Sequence, residues 1–366
     1  MLNKLLRPNV RGLTPYDSGP SAGIKLDANE NPFPWPEKAL AEIAEATAAA
    51  PGFNRYPDGA ATELRAELGE RLDLRREQVL VGNGADELIA VVLQTFGGPA
   101  QALLVQPPTF SMYGVLAAVT DTPLIEVPLQ AEGQELDPDG IRRACRENLV
   151  SVIIVCNPNN PTGALFPRPL LADLLTSCGA LVVVDEAYGE FAGPETSMMP
   201  YIGKYQNLLV MKTFSKAYGM AGLRLGYICG TAEAIALLNR VRQTYNVNVF
   251  TQRAGRAALR HSAAFAEQIA ALRAETEKLY LGLRALPGLK VWPTRANFVL
   301  FQPRNAVAWG EALRQRGIAV RVFARLPVLG PCLRVSAGRP EETALFLRAA
   351  AELSAQGEPF QQTNAD

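Results

Sequence analysis

The sequence predicts an α/β protein with a large three-layer domain, built on a mostly parallel central sheet, and a smaller α+β domain. Two observations support this prediction. The middle of the chain contains short runs of Val, Ile and Leu without polar alternation, which are typical of strands covered on both faces. Helical stretches such as PDGIRRACRENL and PRPLLADLLTSC lie between several of these runs, as crossover connections between parallel strands require.

Each of these apolar runs passes abruptly into polar or turn residues. In chain order the segments are QVLVGNGADELIAVVLQTF, ALLVQPPTFSMYG, SVIIVCNPNNPTG, ALVVVDEAYGEF and NLLVMKTFSK. Ligands of open parallel sheets gather outside the carboxyl ends of the strands. The residues that end these runs are therefore the first candidates for a functional site.

The pattern changes after residue 265. The helical stretch FAEQIAALRAETEKLYLGLRAL precedes three strand-like segments, NFVLFQ, IAVRVF and CLRVSAG, and a last helix follows RPEE. We expect an N-terminal arm, residues 1–28, that packs with the small domain. We also expect a large domain over residues 29–265, a small C-terminal domain over 266–355 and a flexible tail over 356–366.

The composition narrows the class of protein. The 366 residues carry 36 Lys and Arg against 36 Asp and Glu, and this zero net charge argues against nucleic-acid or membrane partners. One His and five Cys without a CxxC pair offer no metal-ligand set, and we expect the cysteines to be buried and reduced. No run approaches the ~20 apolar residues of a membrane span. The first residues, MLNKLLRPNVRGL, lack the apolar core of a signal peptide, so we expect a cytoplasmic protein.

Two early strand ends supply the first candidates. Gly84, Ala85 and Asp86 open a helix directly after a strand, where free backbone N–H groups and the helix dipole favour an anion. Glycine turns before helices are common, so a purely structural turn is the alternative. Phe110 follows QPPT and is either a core residue or a flat surface on which a ring can stack.

Two later strand ends carry polar groups. NPNNPTG is either a stiff turn or a turn that aims the amide of Asn160 into the crevice at the sheet edge. Asp185 ends ALVVV, where a carboxylate is partly desolvated and needs a cationic partner. A helix N-cap is the structural alternative for this aspartate. Tyr188 follows three residues later.

Lys216 follows the strand-like NLLVM and is flanked by Ser215. An isolated lysine in such a place is ordinarily a solvated loop residue. Here it shares a sheet edge with an aspartate, a tyrosine, an asparagine, an aromatic ring and an anion-binding helix start. Pyridoxal 5′-phosphate requires that whole set: a lysine that bonds it, an aspartate that keeps its ring nitrogen protonated, and donors to its phenolic oxygen. Phe110 would stack on its ring, and Ser215 and Arg224 would bind its phosphate.

Three of these segments together resemble a known family. NPNNPTG, DEAYGEF and TFSKAYGMAGLRLG are similar to the signature segments of fold-type I pyridoxal-phosphate aminotransferases. Their intervals, 25 residues from Asn160 to Asp185 and 31 from Asp185 to Lys216, fit that family. More narrowly, LTPYDSG, LDANENPF, NRYPDG, GNGADE and PPTFSMYG resemble histidinol-phosphate aminotransferases, from about residue 8 to about 345.

The resemblance implies a homodimer in which each subunit completes the other's active site. Tyr56 of NRYPDG would reach the cofactor phosphate of the partner; a surface tyrosine in a proline-rich turn is the alternative. The cofactor phosphate would be surrounded by the backbone amides of Ala85 and Asp86 and by the side chains of Thr213, Ser215 and Arg224. The freed lysine would act as the general base that removes the substrate's α-proton.

The resemblance also implies the substrates. Arg334 of CLRVSAG would bind the carboxylate of glutamate or 2-oxoglutarate, or the phosphate of histidinol phosphate. Tyr16, Asn29 and Arg321 match positions that line the substrate pocket, whereas Arg325 in FARLPVLG has no assigned role. The expected activity is therefore amino transfer between histidinol phosphate and 2-oxoglutarate in histidine biosynthesis.

Two enzyme classes and one regulator remain as alternatives. An aromatic amino-acid aminotransferase would share the cofactor residues, and a threonine-phosphate decarboxylase-like enzyme would also bind a phosphate. A regulator with an aminotransferase-like domain needs a DNA-binding module, for which the sequence offers neither a helix-turn-helix segment nor basic excess.

Overall fold

The computed structural model describes residues 4–15, 23–49 and 54–355. The predicted tail and Tyr16 lie outside these residues. The strands are β1 (Ile24–Lys25), β2 (Val79–Gly82), β3 (Ala102–Val105), β4 (Leu124–Glu126), β5 (Val150–Cys156), β6 (Leu181–Asp185), β7 (Leu208–Thr213), β8 (Gly226–Cys229), β9 (Lys290–Val291), β10 (Phe298–Gln302), β11 (Ile318–Ala319), β12 (Arg321–Leu326) and β13 (Gly330–Ser336).

The helices lie between and around these strands. They are α1 (Glu37–Ala49), α2 (Thr62–Leu72), α3 (Gly84–Phe96), α4 (Met112–Val119), α5 (Pro138–Glu147), α6 (Arg168–Ser177), α7 (Gly189–Ala192), α8 (Ala232–Leu238), α9 (Val249–Arg260), α10 (Ser262–Arg284), α11 (Ala306–Gln315) and α12 (Pro340–Ala355). No helix in the described ranges combines the length and the apolar character that crossing a membrane requires.

The large sheet has seven strands in the order β2-β8-β7-β6-β5-β3-β4. All pairs are parallel except those of β8, which is antiparallel to β2 and to β7. The five strands predicted from the apolar runs are confirmed, and the sheet is mostly parallel as expected. The sequence analysis did not identify β4 and β8, which are only three and four residues long.

Burial explains why the apolar runs lack polar alternation. In β5, Ile153 and Val155 pack into one cluster of buried side chains, and Val152 and Ile154 pack into another on the opposite face. All four side chains are at most 1% exposed. Both faces of the sheet are covered by helices, so neither face selects polar residues.

The small domain is built on the four-stranded antiparallel sheet β12-β13-β10-β9. Its core holds apolar residues of these strands together with side chains of α10, α11 and α12. Helix α10 connects the two domains, because Phe265 packs in the core of the large domain and Leu272 in that of the small domain.

The N-terminal segments contact both domains. Strand β1 pairs in parallel with β11, and Leu26 directly after it is buried in the small-domain core. Farther toward the terminus, the Asn9 side chain donates a hydrogen bond to the carbonyl of Ala118 in α4 (2.5 Å). Between β1 and α1, the carbonyl groups of Asp27 and Ala28 accept hydrogen bonds from Arg334 of the small domain and Lys216 of the large domain, so this segment lies between the two domains.

Candidate active site

A cavity of about 790 Å³ lies between the carboxyl ends of the large sheet and the small domain. Most of the candidate residues from the sequence line it: Asn29, Ala85, Asp86, Phe110, Asn160, Asp185, Tyr188, Thr213, Ser215, Lys216, Arg224, Arg321 and Arg334. Gly84 lies next to the lining residue Ala85. Residues 54–355 thus place the strand-end candidates in one crevice, as expected for a parallel sheet.

Lys216 extends into this cavity from the turn after β7. Its Nζ donates a hydrogen bond to the carbonyl oxygen of Ala28 (2.8 Å). Burial lowers the pKa of Lys216 to about 8, and the positive charge of Arg334 adds to the effect. An amine with this pKa is available in its neutral form near neutral pH, as a base or nucleophile must be.

Asp185, at the end of β6, is held from two sides. The Tyr113 hydroxyl donates to its Oδ2 (2.6 Å), and the backbone N–H of Ala187 donates to its Oδ1 (3.0 Å). Burial raises the pKa of Asp185 to about 6, and these hydrogen bonds oppose that rise. Above that pH the residue is a buried carboxylate that needs a cationic partner in the cavity. The sequence analysis missed Tyr113, although it belongs to the quoted segment PPTFSMYG.

A cradle for an anion lies at the start of α3. Ser215 accepts hydrogen bonds from the Thr213 hydroxyl (3.0 Å) and from Arg224 Nη1 (3.4 Å). Arg224 also pairs with Asp86 (3.2 Å). Gly84 has a φ of 81°, and a Cβ there would lie 2.6 Å from Arg224 Nη2. The positive φ favours glycine at this position, and a Cβ here would displace the Arg224 guanidinium.

Two arginines lie side by side on neighbouring strands of the small-domain sheet. Arg321 of β12 is the direct partner of Arg334 in β13, and both guanidinium groups lie near the ring of Phe323, at 6.0 and 5.9 Å from its centroid. Arg334 donates to Asn160 Oδ1 (2.5 Å) and to the carbonyl of Asp27 (2.7 Å). Both side chains line the cavity, where their positive charges favour an anionic ligand.

Three further features complete the cavity. Arg325 lies four residues after Arg321 on the same strand and lines the cavity with an exposed side chain. Tyr188 accepts a hydrogen bond from Asn29 Nδ2 (2.9 Å), and burial raises the pKa of its hydroxyl. Phe110 contacts Tyr113 edge-to-face, with ring centroids 5.5 Å apart.

Tyr56 lies outside the cavity. Its side chain is 81% exposed, and its ring stacks on that of Tyr245 at 4.5 Å. Tyr56 is therefore not among the residues that line the cavity. Among the residues that the structure describes, no cluster of three or more His, Cys, Asp or Glu side chains is arranged to hold a metal ion.

The chain is similar in sequence to aminotransferases. Residues 21–349 match the family described as aminotransferase class I and II. A histidinol-phosphate aminotransferase of Desulfitobacterium hafniense is 45% identical over 353 residues, covering 95% of this chain and 97% of that protein.

Solved structures extend the comparison. The histidinol-phosphate aminotransferase of Sinorhizobium meliloti, in complex with pyridoxal-5′-phosphate, superposes with a TM-score of 0.85 at 22% identity, over 96% of this chain and 98% of its own. The L-threonine-O-3-phosphate decarboxylase of Porphyromonas gingivalis gives 0.78 at 23% identity, over 91% and 100%. An aminotransferase and a decarboxylase thus share this fold.

Proposed function

Because the chain belongs to the aminotransferase class I and II family, we propose that it transfers an amino group between histidinol phosphate and 2-oxoglutarate, using pyridoxal phosphate, in histidine biosynthesis. The observation that carries the choice of substrate is the cross-strand pair of Arg321 and Arg334 in the cavity. Two opposed guanidinium groups suit a phosphate dianion, which can accept several charge-assisted hydrogen bonds at once.

The residues of the large domain fit the cofactor. The start of α3, Ser215 and Arg224 offer hydrogen-bond donors and positive charge to its phosphate. Gly84 has no Cβ, which leaves room for the Arg224 guanidinium beside the start of α3. Asp185 supplies the buried carboxylate for the ring nitrogen, and Phe110 supplies an aromatic surface. When bound, the cofactor provides an aldehyde for amine exchange and a ring that withdraws electrons from the substrate's α-carbon.

Lys216 moves the proton in this proposal. Its lowered pKa leaves a fraction of neutral amine, and the Nζ of this neutral form can accept the substrate's α-proton. The amine lies in the same cavity as the arginine pair, so a substrate held by its phosphate places its α-carbon within reach. Asn160 and Tyr188 border the same space and fix the orientation of the bound ring.

The test compares Arg321→Gln with the wild-type protein. Loss of one charge-assisted contact should raise KM for histidinol phosphate about 10- to 100-fold. KM for phenylalanine, which carries no phosphate, should change far less. Arg348→Gln in α12 is the control, because its exposed side chain does not line the cavity. Equal effects of Arg321→Gln on both amino donors would contradict the assignment of a phosphate site.

The proposal includes a cytoplasmic homodimer with shared active sites. The exposure of Tyr56 supports it, because an 81% exposed aromatic ring outside its own cavity is available to a partner. Tyr56→Phe should weaken retention of the cofactor. Hybrid dimers of one Tyr56→Phe and one Lys216→Ala subunit should regain one tightly binding site, since Lys216 and Tyr56 would come from different chains. Hybrids that bind no better than Tyr56→Phe homodimers would contradict the shared site.

A further inference from the structure

The segment of residues 27–29 contacts three functional groups of the cavity. Its carbonyl groups accept hydrogen bonds from Lys216 and Arg334, and the Asn29 side chain donates to the Tyr188 hydroxyl. Asn29 has a φ of 55°, in the left-handed region that asparagine tolerates better than most residues. The orientation of the Asn29 side chain therefore determines whether the Tyr188 hydroxyl lies against a hydrogen-bond donor or an acceptor.

Ser336, the last residue of β13, holds Asn29 in place. Its Oγ accepts a hydrogen bond from the Asn29 backbone N–H (2.8 Å) and donates one to Asn29 Oδ1 (3.1 Å). Asn297 Nδ2 donates to the Asn29 carbonyl (3.1 Å). Ser336 and Asn29 are 2% and 1% exposed, so water does not compete for these groups.

The serine hydroxyl also decides which way the asparagine amide faces. With Oδ1 toward Ser336, the serine hydrogen has an acceptor and Nδ2 points at Tyr188. The reversed amide would leave the buried serine hydrogen without that acceptor, which is costly. In the favoured orientation the Tyr188 hydroxyl oxygen accepts a hydrogen bond from Asn29 Nδ2. The hydrogen of the Tyr188 hydroxyl is then available to an acceptor in the cavity.

We propose that Ser336 is a positioning residue that acts through Asn29 to keep the Tyr188 hydroxyl a hydrogen-bond donor toward the bound cofactor. This inference rests on the proposed use of pyridoxal phosphate. It assigns a role in cofactor binding to a small-domain serine that itself lies outside the lining of the cavity. It also links the small domain, which carries Arg334 on the same strand, to the tyrosine of the large domain.

The test titrates the cofactor-free protein with pyridoxal phosphate. Ser336→Ala should raise the dissociation constant about 2- to 10-fold, the loss expected for one weakened hydrogen bond. It should also move the pH midpoint of the bound cofactor's absorbance change upward, because a lost donor favours the protonated form of an acceptor oxygen. Ser336→Thr keeps the hydroxyl and should restore both values. Asn29→Asp replaces the Nδ2 donor with an acceptor and should exceed the effect of Ser336→Ala.

The matched control is Cys332→Ala, which removes one γ atom from a fully buried residue of the same strand that, like Ser336, does not itself line the cavity. It should leave the dissociation constant and the midpoint unchanged. Wild-type values in Ser336→Ala, or an equal shift in Cys332→Ala, would overturn the inference while the cofactor assignment stands. A wild-type protein that binds no pyridoxal phosphate would overturn the proposed function and this inference with it.

Discussion

Replacing Lys212 with Met should destabilise the protein strongly, because two buried carboxylates depend on this lysine. Lys212 Nζ lies 3.0 Å from Glu190 Oε1 and 3.7 Å from Glu186 Oε2, and the three side chains are 12%, 15% and 2% exposed. Glu186 also accepts hydrogen bonds from Ser197 and the backbone of Met198. The triad joins the turn after Asp185 to the strand that leads to Lys216.

The expected loss in the free energy of unfolding is about 3–5 kcal/mol, the range measured when one partner of a buried ion pair is removed. Burial raises the pKa of Glu186 and Lys212 opposes that rise, so without the lysine the carboxyl becomes neutral more readily in the folded state. A pKa raised by folding contributes stability at low pH that is lost as pH rises through it. The destabilisation should therefore be smaller at pH 5 than at pH 8.

This loss is measured by urea unfolding of the wild-type protein and of Lys212→Met, followed by circular dichroism at pH 5 and at pH 8. Lys38→Met removes an exposed lysine of α1 and should change the free energy of unfolding by no more than about 0.5 kcal/mol. A loss below about 1 kcal/mol for Lys212→Met at pH 8, or a larger loss at pH 5, would refute the argument from the buried triad.

Three further substitutions probe the cavity. Tyr113→Phe removes a hydrogen bond that lowers the pKa of Asp185 against the effect of burial; in the cofactor-free protein the pKa of this carboxyl, followed by infrared difference spectroscopy, should move up by about 1–2 pH units, and an unmoved pKa would contradict the role of Tyr113. Gly84→Ala should weaken cofactor binding at least 10-fold, measured by equilibrium titration, because its Cβ would displace Arg224; wild-type affinity would contradict the cradle. Lys216→Ala should leave a protein that forms no covalent bond to the cofactor, detected by borohydride reduction and mass spectrometry, and turnover at the wild-type rate would contradict the role of Lys216.

The large domain was predictable because its pattern is local. Five apolar runs identified five strands, and parallel pairing then placed the residues that follow them at one edge. Strand β8 escaped prediction because its residues, GYIC, contain a single Val, Ile or Leu and so do not form the apolar run that identified the other strands. Its antiparallel direction depends on pairing with β7, which the sequence of β8 alone does not encode.

The contacts between distant segments were not predictable in this way. Tyr113 and Asp185 are 72 residues apart, and Asn29 and Ser336 are 307 apart, so their hydrogen bonds depend on how the domains pack. The resemblance named Arg334 as a substrate ligand, but only the register of the small sheet shows Arg321 opposite it. The role of each site residue stays a prediction until the substitutions are measured.

The most direct measurement of the central claim follows the two half-reactions separately. The protein is loaded with pyridoxal phosphate. One sample is mixed with excess histidinol phosphate and another with excess phenylalanine, while the absorbance of the lysine-bound cofactor is followed. The account predicts rapid loss of that absorbance with histidinol phosphate, its recovery on addition of 2-oxoglutarate, and a much slower change with phenylalanine. Equal or faster conversion by phenylalanine would contradict a site built around a phosphate between Arg321 and Arg334.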